Sequence, residues 1–296
     1  MRRSDLADEA QDHRTRRTES VWRRFRRHRL ALAGLITLLL LAVSAIAAPA
    51  VVPHHPNTID LMALNQAPNS THWLGTDATG RDILSRLLHA GRISLTVGVS
   101  VVLLAACIGM TLGAFAGFFG GWVDSIIMRF VDVVLSFPTI LVVITIIAMI
   151  GPGLANLILA MGLLAWPPIA RLLRAEFLSL RERDFILAAR AVGVSRFRIV
   201  RRHLIPNAMA PVIVAATFGV AQAILLEAGL SFLGLGVRRP TPSWGNMLAE
   251  AQSLTVLDSM PWQWLPPGLM ITFSILAINF MGDGLRDALD PRSRLR

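Results

Sequence analysis

No lysine occurs among the 296 residues: the 29 lysine-or-arginine positions are all arginine. That absence rules out a Walker A loop, whose lysine contacts the nucleotide phosphates, and any Schiff-base lysine chemistry. If the protein uses ATP, another chain must bind it. Cys107 is the 1 cysteine, so no intrachain disulfide forms and C-x-x-C metal or redox motifs are excluded. Within its apolar run Cys107 reads as a small buried apolar residue. Charge is scarce too, at 16% of residues against 54% hydrophobic. That balance, with charge-free runs of about the 20 residues a membrane helix needs, belongs to a multi-span membrane protein and not to a soluble two-domain chain. No nucleophile elbow, H-E-x-x-H pair or P-loop is found, so no chemistry on a substrate is expected.

Six segments are apolar enough to cross a hydrocarbon core: Leu30 to Val52, Ile93 to Phe119, Phe130 to Ile150, Leu154 to Ala170, Ala208 to Leu226 and Leu265 to Met281. The expected fold class is therefore an all-α membrane protein with six transmembrane helices. Asp132 is the only formal charge in the six, and Arg129, three residues earlier, is its expected helical partner. The first span follows a polar leader too long for a cleaved signal peptide, so it reads as an uncleaved signal anchor. Residues before Trp22 have no periodic apolar face and read as disordered. The run from Trp22 to Arg29 alternates bulky and basic residues, which suits a topology anchor or anionic lipid headgroups.

Arginine placement gives the expected orientation, because cytoplasmic loops carry the excess positive charge. With the N-terminus inside, 24 of the 29 arginines fall in the basic tail 1–29, at Arg129, in the insert 171–207 and in the tail 282–296. Arg81, Arg86, Arg92, Arg238 and Arg239 are left for the outer loops 53–92 and 227–264. Both termini are expected on the cytoplasmic side of a bacterial-type cell membrane.

The basic insert is the most informative stretch. Asp184 fits an N-cap, Phe185, Ala188, Ala189 and Val192 recur at helical spacing, and Gly193 fits a C-terminal stop. Ser195 fits a second N-cap, and Arg196 to Ile205 a second helix ending at Pro206. On residues alone, an amphipathic hairpin on the membrane surface and an element docking on another protein are equally open.

In permeases of ATP-driven (ABC) importers a coupling loop runs Glu-Ala-Ala, three residues, Gly, nine residues, Ile, one residue, Leu-Pro. Residues 184–207 resemble that loop: Ala188, Ala189, Gly193 and Pro206 match in register, with Ile205 in place of Leu. Leu187 stands where the family has Glu, and His203 where it has Ile. The stretches His72 to Leu95, Ser231 to Val237, Pro240 to Leu248 and Gly282 to Pro291 resemble the dipeptide, oligopeptide and nickel branch, and its C-type partner of a heterodimeric pair. The resemblance implies a type I importer-like permease core (93–281) that passes short peptides, with nickel or another small solute as the alternative and a gradient-driven carrier as a further one. It implies a homologous permease subunit, one or two cytoplasmic ATPases holding ATP and Mg, and an external substrate-binding protein. No cofactor in this chain and no nucleic-acid partner are expected.

In the outer loops, Asp77, Arg81, Asp82 and Arg86 have helical spacing and read as an ion-pair set. Trp244 is open between a vestibule role and the interfacial aromatic belt, where Trp262 and Trp264 belong. Glu227 reads either as facing a vestibule or as bonded to loop backbone. Gln222, Asn156 and Asn279 read as helix-bridging ahead of path-lining. His54, His55 and His72 share an outer loop without a third placed ligand or a carboxylate at zinc spacing, so no metal site is expected.

Overall fold

A computed structural model describes residues 22–289, so the disordered reading of the tail before Trp22 lies outside the described residues. The described residues are nearly all helical. A short helix α1 (22–27) precedes α2 (Arg29–Val51), α3 (Ile83–Phe119), α4 (Gly121–Leu135), α5 (Thr139–Ile150), α6 (Leu154–Gly162) and α7 (Pro167–Arg181). Then come α8 (Asp184–Ala191), α9 (Arg196–Ile199), a π-helical turn (Val200–Leu204), α10 (Ile205–Phe232), α11 (Trp244–Glu250), α12 (Leu254–Ser259) and α13 (Pro261–Leu289). No strand occurs among the described residues beyond one isolated bridge, Thr76 to Asp82.

Among the described residues five helical stretches, with α6 and α7 taken together as 154–181, are long and apolar enough to cross a membrane, and there are six if the bent pair α4 and α5 counts as one span. This agrees with the six expected spans in number and corrects several in extent. The second begins at Ile83, not Ile93, because Asp82 caps it by accepting the Ser85 N–H. The third is not one helix from Phe130 to Ile150: α4 and α5 meet at 78° across Ser136-Phe137-Pro138. Pro138 lacks the N–H that a continuing helix would need, and Ser136 closes α4 by bonding back to Asp132 and Val133. α13 runs on through residues 282–289, which the sequence suggested as tail, and α10 extends through Glu227 to Phe232. The segment 227–264, expected as an outer loop, shrinks accordingly and carries α11 and α12.

α3 is the central post, packed on α7, α10 and α2. Its contact with α7 is glycine-lined. Gly109, Gly113 and Gly117 lie one helical turn apart, and a Cβ on them would come within 2.7 Å of Trp166 O, 2.6 Å of Ala170 O and 2.6 Å of Phe177 Cβ respectively. Small residues on such a stripe let two helix backbones approach closely in lipid, where apolar side chains gain nothing by leaving one another's company for hydrocarbon. On the outward face of α3 Cys107 is exposed, which corrects its buried reading.

Charges in the bundle are cross-helical. Asp132 pairs with Arg171 of α7 and not with Arg129, and Asp124 accepts from Arg174 Nη2 at 2.6 Å. The α4 and α7 ladder thus joins two segments through their polar edges.

Candidate functional site: the coupling segment and the cavity behind it

Residues 184–207 form a helix, a tight turn and a second helix, as expected, with two local corrections. Arg183 holds the N-cap position of α8, and Asp184 is its first helical residue. There the carboxylate still complements the positive end of the helix dipole. The turn follows the glycine stop: Gly193 has φ +76°, its N–H donates to Arg190 O, and Val194 N–H reaches Ala189 O. A residue with a Cβ is strained at that φ, which is why glycine ends α8.

The second correction concerns Pro206. The second helix does not end there; α9 passes through the π turn straight into α10, giving a continuous helix Phe197–Phe232. Ile205 N–H donates to Val200 O, five residues back, and Pro206 sits in the first turn of α10, where a missing N–H is tolerated. Arg196 opens α9 directly after Ser195.

The stripe of Phe185, Ala188 and Val192 lies on the exposed face. Ile186 enters the core on the other side, joined by Ile199 and Leu204 in a cluster with Phe177 and Leu180 of α7. Ala189 packs against this cluster while Ala188 is exposed. Left on the surface are Phe185 (43% exposed), Leu187 (46%), Val192 (79%) and Phe197 (74%). The segment therefore has one apolar face locked to the bundle and a second one outside, flanked by arginines.

Behind it, α10 leads to a cavity of about 540 Å³ whose lining includes Val102 of α3, Leu135 and Thr139 at either side of the α4 and α5 bend, Ile169 of α7, and Gly219 and Gln222 of α10. Gln222 supplies a polar group in this largely apolar wall.

Glu227, Trp244 and Asn279, suggested for a path or vestibule, are not among the residues that line this cavity. Glu227 is fully buried and accepts from Ser94 Oγ at 3.1 Å and Ser231 Oγ at 2.7 Å, so its partners are serine hydroxyls and not loop backbone. Trp244 is buried to 2%, its Nε1–H donating to Leu87 O at 3.2 Å and its backbone N–H to Ser94 Oγ at 3.3 Å. It therefore fastens α11 to α3 instead of lining an open vestibule. Asn279 is half-buried on α13. Asn156 bonds the carbonyls of Ile150 and Gly151 and shapes the turn between α5 and α6.

The loop 52–82 is held by a buried ionic knot. Arg81 Nε donates to Asp77 Oδ2 at 2.7 Å, and Arg81 Nη2 and Arg86 Nη2 converge on Glu250 Oε2 at 2.7 and 2.8 Å. Asp82, expected in this set, is instead engaged by Ser85 and His72, and Glu250 of α11 takes its place. Burial pushes the Asp77 carboxyl up, but the Thr79 hydroxyl, the Arg81 charge and two backbone N–H donors outweigh it and hold it below the usual aspartate range. A depressed folded pKa means stability that is present above the ordinary value and is lost as pH falls through the folded one. Asp77→Asn is thus expected to lower stability at pH ~6 and to flatten the loss of stability below about pH 4. Unfolding titrations of both proteins at neutral and acid pH check this; parallel pH profiles would contradict it.

Residues 109–295 match the family described as binding-protein-dependent transport system inner membrane component. The chain belongs to that family. Residues 17–68 also match the N-terminal transmembrane domain of oligopeptide transport permease C. Among curated relatives, a Brucella suis protein that carries a peptide-permease name is 49% identical over 247 residues, covering 83% of this permease and 82% of its own length. A dipeptide transport system permease protein of Bacillus subtilis is 40% identical over 277 residues, covering 94% and 86%. Among solved structures, the MetNI methionine ABC transporter in an inward-facing form aligns with a TM-score of 0.56 at 19% identity, over 69% of this permease and 96% of that chain, which supports the fold. The permease is accordingly a multi-pass inner-membrane component of an ABC importer with the type I permease fold.

Proposed function

We propose that the permease forms half of the path by which an ATP-driven importer brings dipeptides or short oligopeptides into the cell, with both termini in the cytoplasm. A homologous permease forms the other half, and an external binding protein delivers the peptide. One or two partner ATPases hold ATP and Mg and dock on residues 184–207. The observation that carries this is the exposed patch of Phe185, Leu187, Val192 and Phe197 on a segment whose other face is locked into the bundle core. Movement of the docked ATPases pushes a rigid element: from Phe197 the unbroken helix carries displacement roughly 38 Å along its axis to Gln222, beside the cavity. Leu187 in place of the family's Glu makes the contact apolar, so shape and burial carry it. The peptide substrate rests on the names of the relatives, which favour it over nickel.

The test is Phe197→Asp in the tagged chain, purified from its native membrane with its partners. A charge in a desolvated contact typically costs about 2 kcal/mol or more, roughly 30-fold in affinity. The expected result is loss of co-purifying P-loop ATPases and of di- and tripeptide uptake, with the second permease retained. Unchanged ATPase recovery and uptake would reduce the segment to a surface hairpin, and ion-gradient-driven uptake by this chain alone would replace the importer reading altogether.

A further inference from the structure

The sequence placed His54 and His72 in one loop but offered no third group. Folding brings Asp82 to them: one donor atom from each of His54, His72 and Asp82 lies within 4.8 Å of the others. The two imidazole rings are 4.8 Å apart, centre to centre. His72 and Asp82 are buried, and His54 is half-buried above them.

The hydrogen bonds say which nitrogens remain as donors to a cation. His72 Nδ1 lies 2.9 Å from Asp82 Oδ1, and His54 Nε2 lies 3.2 Å from Thr71 O. Carboxylate and carbonyl oxygens only accept, so both of those nitrogens carry the proton. In the neutral rings His72 Nε2 and His54 Nδ1 then bear the lone pairs. An imidazole whose second nitrogen donates to a carboxylate or a backbone carbonyl is the usual arrangement of a metal-binding histidine, oriented and made more basic by that acceptor. Here both histidines have it. Asp82 Oδ2 is meanwhile anchored by Ser85 N–H at the start of α3, so the carboxylate cannot swing away.

We propose that His54 and His72, with Asp82 as the carboxylate that orients His72 and supplies negative charge, bind a divalent first-row transition cation of the Zn²⁺ class. Two imidazole donors, one of them backed by a carboxylate, match that class, whereas Mg²⁺ and Ca²⁺ prefer all-oxygen sets. Zn–N bonds of about 2.0–2.1 Å require ligand atoms about 3.3 Å apart in a tetrahedron, so the site tightens as the cation enters. His54, the least buried of the three, supplies that movement. Its position also gives the site a role: α2 ends at Val51, three residues before His54, and Asp82 caps α3. The cation staples the end of the first span to the start of the second. A plain His72–Asp82 pair needs neither His54 nor a metal, and this separates the two readings.

The experiment is titration of the full chain in nanodiscs with Co²⁺, followed by its visible ligand-field absorption, and with Zn²⁺ by calorimetry, for wild type, His54→Ala, Asp82→Asn and His55→Ala. Expected are one equivalent per wild-type chain, at least about tenfold weaker binding for His54→Ala, about 10- to 100-fold weaker binding for Asp82→Asn, and no change for the exposed neighbour His55→Ala. No saturable binding by wild type, or equal binding by wild type and His54→Ala, would overturn the proposal and leave a structural His–Asp hydrogen bond. His54 touches neither the coupling segment nor the cavity, so these outcomes are independent of the transport reading.

Discussion

Glu250→Gln is expected to destabilise the permease by about 3–5 kcal/mol, the range found when one partner of a buried ion pair is removed. Glu250 Oε2 receives both Arg81 and Arg86, and Arg86 is 1% exposed. Glutamine keeps the shape and removes the charge, leaving Arg86 with Asp77 at 3.6 Å as its nearest carboxylate. Arg86 Nη1 is already buried without a partner, so the guanidinium has no spare donor contact to fall back on. Because the knot joins the 52–82 loop to α11, the loop should become protease-sensitive as stability falls. Denaturant titration of the purified chain measures the effect, with the exposed Asp258→Asn as a control expected within about 0.5 kcal/mol of wild type. Equal stability of Glu250→Gln and wild type would mean that Arg81 and Arg86 find solvent instead.

Gly113→Val should have the next largest effect, about 3 kcal/mol, at the upper end of overpacking penalties. Its Cβ would stand 2.6 Å from Ala170 O and 3.0 Å from Ala170 Cα, and backbone atoms cannot rotate out of the way as a side chain can. α3 and α7 would have to separate, which also shifts Arg171 and Arg174 away from Asp132 and Asp124. Gly229→Ala supplies the contrast: nothing lies within 4 Å of its Cβ, and helix interior alanine is favoured over glycine, so neutrality or a gain of about 0.4–1 kcal/mol is expected. A Gly113→Val protein that unfolds with the wild-type midpoint would show that the α3 and α7 contact is plastic.

What the sequence revealed and what it hid follow one physical line. Membrane spans are legible because a helix in hydrocarbon must be apolar over its own length, a local property. The turn after α8 is legible because φ > 0 at Gly193 is local too. Partners set by tertiary distance are not: Glu250 meets Arg86 across 164 residues, and Asp132 takes Arg171 across 39 in preference to the adjacent-turn Arg129. The same reason hid the third member of the histidine cluster, since Asp82 had an obvious local use. Two further features are local and stand in the sequence itself. Glycines at 109, 113 and 117 repeat at four-residue spacing, the small-residue signature of close membrane-helix packing. Pro138 within an apolar run marks the break between α4 and α5, although hydropathy averaged over the run conceals it.

α4 leaves the ribosome before its counter-charges do. Asp124 and Asp132 precede Arg174 and Arg171 by 50 and 39 residues, which at a synthesis rate of about 5–20 residues per second is a delay of roughly 2–10 s. α4 is therefore made before either of its arginine partners exists, and the α4 and α7 ladder closes only after α7 has followed. The order of synthesis makes this contact one of the later ones to form between α4 and the rest of the bundle.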